Sequence, residues 1–219
     1  MKRTALITLT ILLAGISPRP SGADADWKTV INEEGITVET RSVAGSDIDE
    51  FRATAVIEKP IEVVGELLAD VPNQINWIKD CVEVKIVSQE NEQNLVQYYV
   101  IKTPWPLNYR DVIFITKTKV DWQAGYVDVT SIATAEPLVP VRDGCLRITN
   151  SEQHWIFQRI APDRTMVVFT NTTNPGGAIP AFVANAFSKD MPFHTLRNMR
   201  AAAENPVFYE RAKAKYNIK

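Results

Sequence analysis

The sequence predicts an α+β domain: a strongly curved antiparallel sheet with one long C-terminal helix on its concave side. Three observations carry this. From Val82 to Thr173 the chain is a run of short segments rich in alternating and β-branched residues, joined by brief turns, the pattern of an antiparallel meander. A helix opens at Pro60 between two groups of strands. Asn174-Pro175-Gly176-Gly177 then breaks the sheet, and Pro180 starts a long amphipathic segment that runs to about Glu204.

The elements follow in order. Trp27 to Ile31 reads as a short helical pattern ended near Gly35, and Ile36 to Arg41 and Asp49 to Ile57 read as strands. After Pro60, residues Ile61, Val64, Leu67 and Leu68 share one helical face. Val71-Pro72-Asn73 ends that helix, and a short helical piece carries Trp77. Six strands are then predicted: Val82 to Ser88, Leu95 to Lys102, Tyr109 to Val120, Tyr126 to Ala133, Cys145 to Gln158 and Thr165 to Thr173. The last helix carries Phe182, Val183, Ala186, Phe187, Leu196, Met199 and Ala203 on its apolar side, and Pro192 should kink it or split it.

The N-terminus has the form of a secretory signal. Lys2 and Arg3 precede an uncharged apolar run, Ala5 to Ile16, and Ala23-Asp24-Ala25 fits a cleavage site, with cleavage after Ala23 or Ala25. Residues 1–25 are therefore expected to be a signal peptide and 26–219 the functional domain, exported and expected in a periplasm. The whole chain has a formal charge of −2, and loss of the signal makes it more acidic. That balance argues against nucleic acid as a partner. Cys81 and Cys145 either pair, which export would permit, or remain two small buried thiols. His154 and His194 form no metal-binding spacing with them.

Two motifs go beyond pattern. Pro104-Trp105-Pro106-Leu107-Asn108-Tyr109-Arg110-Asp111 and Asn174-Pro175-Gly176-Gly177-Ala178-Ile179-Pro180 resemble segments of the StAR-related lipid-transfer (START) domains, closest to the phosphatidylcholine-transfer branch. The stretch from Pro60 to Asp80 resembles the same family's second helix and Trp-containing turn. The resemblance implies a helix-grip fold, a sheet wrapped around the C-terminal helix, enclosing a tunnel for one lipid, with a phospholipid favoured. It implies no cofactor, no catalytic turnover, and a monomer that touches membranes transiently. Around the Trp, where that branch has an Arg and an Asp, this chain has Gln74 and Ile78. Before the second motif, where the branch has aromatics, it has Asn171-Thr172-Thr173.

With that frame the residues divide into candidates. Trp105, held between two prolines, either forms the lip of the tunnel or packs beneath its loop. Lys117 and Lys119 should face water, which places Arg110, Phe114 and the other even-numbered residues of their strand on the cavity side and Asp111 outside. Arg110 then serves either as one half of a structural ion pair or as a contact to an anionic lipid group. Arg147 and Gln153 are expected headgroup contacts, with Gln97 and Tyr99 from the neighbouring hairpin, and Trp155 shares their face. Phe182, Phe187 and Met191 are expected to face the sheet as the wall for acyl chains. Gly176-Gly177 suggests a hinge, and alanine at both is expected to slow transfer more than it weakens binding. The alternatives are a helix-grip enzyme of cyclase or hydrolase type and a solid-cored interaction domain. The chain lacks the G-x-S-x-G and H-E-x-x-H patterns.

Overall fold

The computed structural model of the protein describes residues 27–177, 179–216 and 218. The expected signal peptide, residues 1–25, lies outside the described residues. Strands β1 (Lys28–Glu33), β2 (Ile36–Arg41) and β3 (Glu50–Ile57) form a meander. The helix expected at Trp27 to Ile31 is a strand instead. One isolated turn of helix cannot offset its nucleation cost, whereas Lys28 to Glu33 finds a ready ladder on β2 through the tight turn at Glu34-Gly35, both at positive φ.

Helix α1 (Ile61–Ala69) follows Pro60 and buries Ile61, Val63, Val64 and Leu67. A 3-10 helix (Val71–Asn76) leads to Trp77, which is fully buried. This connection carries the chain from β3 to the far edge of the sheet, where β4 (Cys81–Asn91) pairs with β5 (Asn94–Ile101). Then come β6 (Tyr109–Asp121), β7 (Tyr126–Ala133), β8 (Cys145–Ile148), β9 (Asn150–Ala161) and β10 (Arg164–Asn174). The strand order is β1-β2-β3-β10-β9-β7-β6-β5-β4, antiparallel throughout, with β8 added in parallel to the start of β6.

The single strand expected from Cys145 to Gln158 breaks at Thr149. β6 is longer than its neighbour: Phe114 to Asp121 pair with β7, and Tyr109 to Val112 pair with β8. The chain steps from that parallel pairing into the slot between β7 and β10. The step reverses the side-chain parity, so residues on either side of Thr149 cannot be assigned to faces by counting through it.

Helix α2 (Ala181–Ala202) packs on β2 and β3. It runs through Pro192, where a kink or a split was expected, without being split; burial of Phe193, Leu196 and Met199 beyond the proline holds the second half to the sheet. A further helix, α3 (Pro206–Tyr216), was not anticipated. Asn205 Oδ1 accepts the Val207 N–H at 3.1 Å, and the helix buries Phe208 and Ala212 against α1. The core beneath α1 and α2 is strongly aromatic. Trp155 stacks on Phe169 with centroids 3.7 Å apart, and Trp77 stands edge-on to Trp155 at 6.1 Å. Cys81 and Cys145 are free thiols; burial pushes the Cys81 pKa up to about 11.

Candidate functional site

The strands and α2 do not close on a solid interior. Two adjoining chambers lie along the concave face. The one beside the β5–β6 loop, here the outer chamber, has a volume of about 160 Å³; the one toward Glu92 and Lys215, here the inner chamber, has about 220 Å³. They meet at Ile78, Tyr99, Gln153 and Trp155, which line both. The pleat of β6 lays out the path: Arg110, Val112 and Phe114 line the outer chamber, and Thr116, Thr118 and Val120 the inner one. Facing them in the outer chamber are Phe51, Phe169 and, from α2, Val183, Phe187 and Met191. Its mouth is bordered by Thr103, Pro104 and Leu107 from the β5–β6 loop and by Pro175 and Ile179 before α2.

Trp105 lies at the tip of that loop and is 92% exposed, so it does not pack beneath it. Phe182 departs from expectation. It is 76% exposed rather than turned to the sheet, while Phe187 and Met191, further along α2 on a different face, line the outer chamber. Two large apolar side chains thus stand in solvent on segments that border one opening.

Arg110 and Asp111 find different partners. The Arg110 side chain, 4% exposed, donates from Nε to the Pro175 carbonyl at 2.9 Å, from one terminal nitrogen to the Gly176 carbonyl at 3.0 Å, and from the other to the Asn108 carbonyl. It ties the β6 entry to the segment before α2, and burial lowers its pKa. Asp111, on the opposite face, accepts from Arg147 Nε at 2.9 Å and a terminal Arg147 nitrogen at 2.8 Å, from Tyr98 O–H at 3.1 Å and from the Arg142 N–H at 3.3 Å. Burial alone would raise the Asp111 pKa; these hydrogen bonds and the Arg147 charge outweigh it and hold the carboxyl below the usual range. Arg147 therefore sits outside the cavity, against Asp111 and the Val139 carbonyl, and not at a headgroup position. The parity reversal at Thr149 is the reason.

Gln97, Tyr99, Gln153 and Trp155 do come together. Tyr99 O–H donates to Gln74 Oε1 at 2.6 Å, and Gln74 Nε2 donates to the Leu68 carbonyl at 2.9 Å. Thr116 Oγ1 donates to Gln97 Oε1 at 2.8 Å and lies 2.9 Å from Ser131 Oγ. Burial raises the Tyr99 pKa strongly, so it acts as a neutral hydroxyl. Ser131 and the Lys215 and Tyr216 end of α3 were not among the residues singled out from the sequence, yet they line the inner chamber beside Gln74 and Thr116. The β6 alternation places Thr116 on the cavity side, and the family resemblance marks Gln74 as the residue standing where the related branch has an Arg; nothing local marks Ser131. Among the described residues no cluster of His, Cys, Asp or Glu could hold a metal ion, and no helix is long and apolar enough to cross a membrane.

Comparison with known proteins agrees with this architecture. The model of the START domain matches residues 16–207. An uncharacterized protein of Pseudomonas aeruginosa is 30% identical over 200 residues, 91% of this chain and 98% of its own length. The phosphatidylcholine transfer protein of Bos taurus is 26% identical over 191 residues, covering 85% of this chain and 88% of that protein. The crystal structure of a STAR-related lipid transfer protein fragment from Xanthomonas axonopodis superposes with a TM-score of 0.74 at 26% identity, covering 82% of this chain and 99% of that one.

Proposed function

Since this chain belongs to the START domain family, we propose that it binds a single lipid in the two-chambered cavity and carries or senses it without chemical turnover. The observation behind this reading is the apolar cavity itself, open at a rim that bears Trp105 and Phe182. The similarity to the Bos taurus phosphatidylcholine transfer protein and to the Xanthomonas axonopodis STAR-related lipid transfer protein supports it.

The physics of exchange follows. Burial of hydrocarbon contributes roughly 0.8 kcal/mol per methylene, so a chain of about 16 carbons is held by on the order of 10 kcal/mol before ordering costs. Release into water is then slow, and exchange needs the mouth to open against a bilayer. Trp105 and Phe182 supply the contact: an indole suits the membrane interface, and the flanking prolines limit the entropy lost on docking. Arg110 holds the segment before α2 closed through the Pro175 and Gly176 carbonyls. In this reading residues 1–25 direct export and the mature protein acts as a monomer in a periplasm.

Native mass spectrometry of the purified protein, paired with a vesicle-to-vesicle transfer assay, tests the function. One lipid per chain and accelerated transfer are expected. An empty protein that moves no lipid between vesicles refutes it. N-terminal sequencing of the exported protein, with Asp24 or Asp26 as the expected first residue, checks the signal.

A further inference from the structure

The two chambers differ in chemistry. The outer wall is mainly aromatic and aliphatic, whereas the inner one presents the side chains of Gln74, Gln97, Tyr99, Thr116, Ser131 and Gln153. These are amides and hydroxyls, and most are already satisfied by one another. Gln153 is the exception. It lies where the chambers meet, on the face of β9 that also carries Ser151 and Trp155, and its carboxamide makes no hydrogen bond to any described residue. A half-buried amide with two donors and an acceptor unused, at the neck of a cavity, is placed for a ligand.

The charges point the same way. Three cations line the chambers among the described residues, and each is engaged. Arg110, at the mouth, holds three backbone carbonyls. Lys79 pairs with Asp80 at 2.9 Å. Lys215, at the far end, lies 3.1 Å from Glu92 and 3.6 Å from Glu66. A phosphate or carboxylate drawn into the inner chamber would lose part of its water and meet no uncommitted cation, a costly arrangement. A hydroxyl or amide group would meet acceptors and donors of its own kind.

We infer that the ligand is a neutral lipid whose uncharged, hydrogen-bonding end enters first and binds Gln153, with Gln97 and the Tyr99–Gln74 pair beyond it, while its hydrocarbon fills the outer chamber. The inference rests on the lipid-binding function proposed for the same cavity, and it replaces the phospholipid expected from the sequence.

The test is extraction from phosphatidylcholine vesicles by delipidated protein. Separate vesicle samples carry traces of labelled monopalmitoylglycerol, N-palmitoylsphingosine, cholesterol or palmitate, and a further sample carries labelled phosphatidylcholine. Label is counted with the protein after the vesicles are spun out. At least one neutral tracer is expected to be extracted about tenfold better than palmitate and phosphatidylcholine. Gln153→Leu is expected to remove about tenfold of that preference at an unchanged melting temperature. Palmitate or phosphatidylcholine extracted as well as the neutral tracers would overturn the neutral class and leave lipid binding standing. Extraction of no tracer would overturn both. A neutral preference untouched by Gln153→Leu would overturn the seat assigned to the polar end.

Discussion

Arg110 and Asp111 are sequence neighbours that the strand pleat sends to opposite faces, and their roles separate accordingly. Asp111 is fully buried and gathers Arg147, Tyr98 and the Arg142 N–H, which fixes the β8 pairing and the loop before it. Asp111→Asn would leave the Arg147 guanidinium without its counter-charge and is expected to cost about 3 kcal/mol, read from denaturant melts. The pH dependence follows from the depressed carboxyl. Its contribution is complete above the unfolded value near pH 4 and is lost as pH falls through the lower folded value. The acid limb of the wild-type stability curve should therefore be steeper than that of Asp111→Asn; identical limbs would remove Asp111 from this role. Trp105 makes the opposite case, since almost nothing in the fold depends on it. Trp105→Ala should leave the melting temperature within about 1 °C while slowing vesicle transfer several-fold. Unchanged transfer would show that the loop tip does not dock.

At the scale of elements, the proposed function asks the segment before α2 to move. Gly176 and Gly177 have φ of 64° and 70°, and a Cβ on Gly176 would lie 2.8 Å from Leu146 Cδ2. The sequence suggested that alanine here would stiffen a hinge. The geometry reverses the sign, because alanine strains the closed state by about 1–2 kcal/mol per residue and pushes against β8. The Gly176→Ala, Gly177→Ala double variant should release a fluorescent lipid faster, with weaker retention, in stopped-flow exchange; slower release would restore the stiffening view. What could be read from the chain divides along similar lines. Strands with regular alternation, such as Tyr126 to Ala133, were legible because burial on one face imprints a period of two. The break at Thr149 was not, since Arg147 to Ser151 has strand propensity throughout and only the competition between β7 and β8 for β6 interrupts it. β1 was misread because its partner, not its own pattern, decides its conformation. α3 was signalled by Asn205-Pro206 but lacks a strong apolar face.

For the whole molecule, the site was most legible at its mouth. Motifs flanking Trp105 and Gly176 mark the mouth, and β6 parity gives Arg110 and Phe114 their direction. In the inner chamber Gln97, Tyr99, Gln153 and Trp155 were legible as cavity contacts, but the rest of its wall was not, because it is assembled from the 3-10 helix, the β4–β5 hairpin and the end of α3, which meet only after the sheet curves. That curvature also sets the energetics. An interior lined by Phe51, Phe114, Phe187 and Met191 but not filled by them forgoes contacts that a packed core would make. The missing contacts are available to a guest, so folding and binding are linked. Ligand at about 100 times its Kd adds about 2.7 kcal/mol to the folded state. For a domain of this size each kcal/mol shifts the melting temperature by about 2–4 °C, so the loaded protein should melt about 5–10 °C above the delipidated one. Scanning calorimetry on the delipidated protein, titrated with the lipid that co-purifies, measures this directly. The shift should grow with the logarithm of lipid concentration. A melting temperature that does not respond to lipid would mean that the chambers are not the binding site, whatever the protein's surface does at a bilayer.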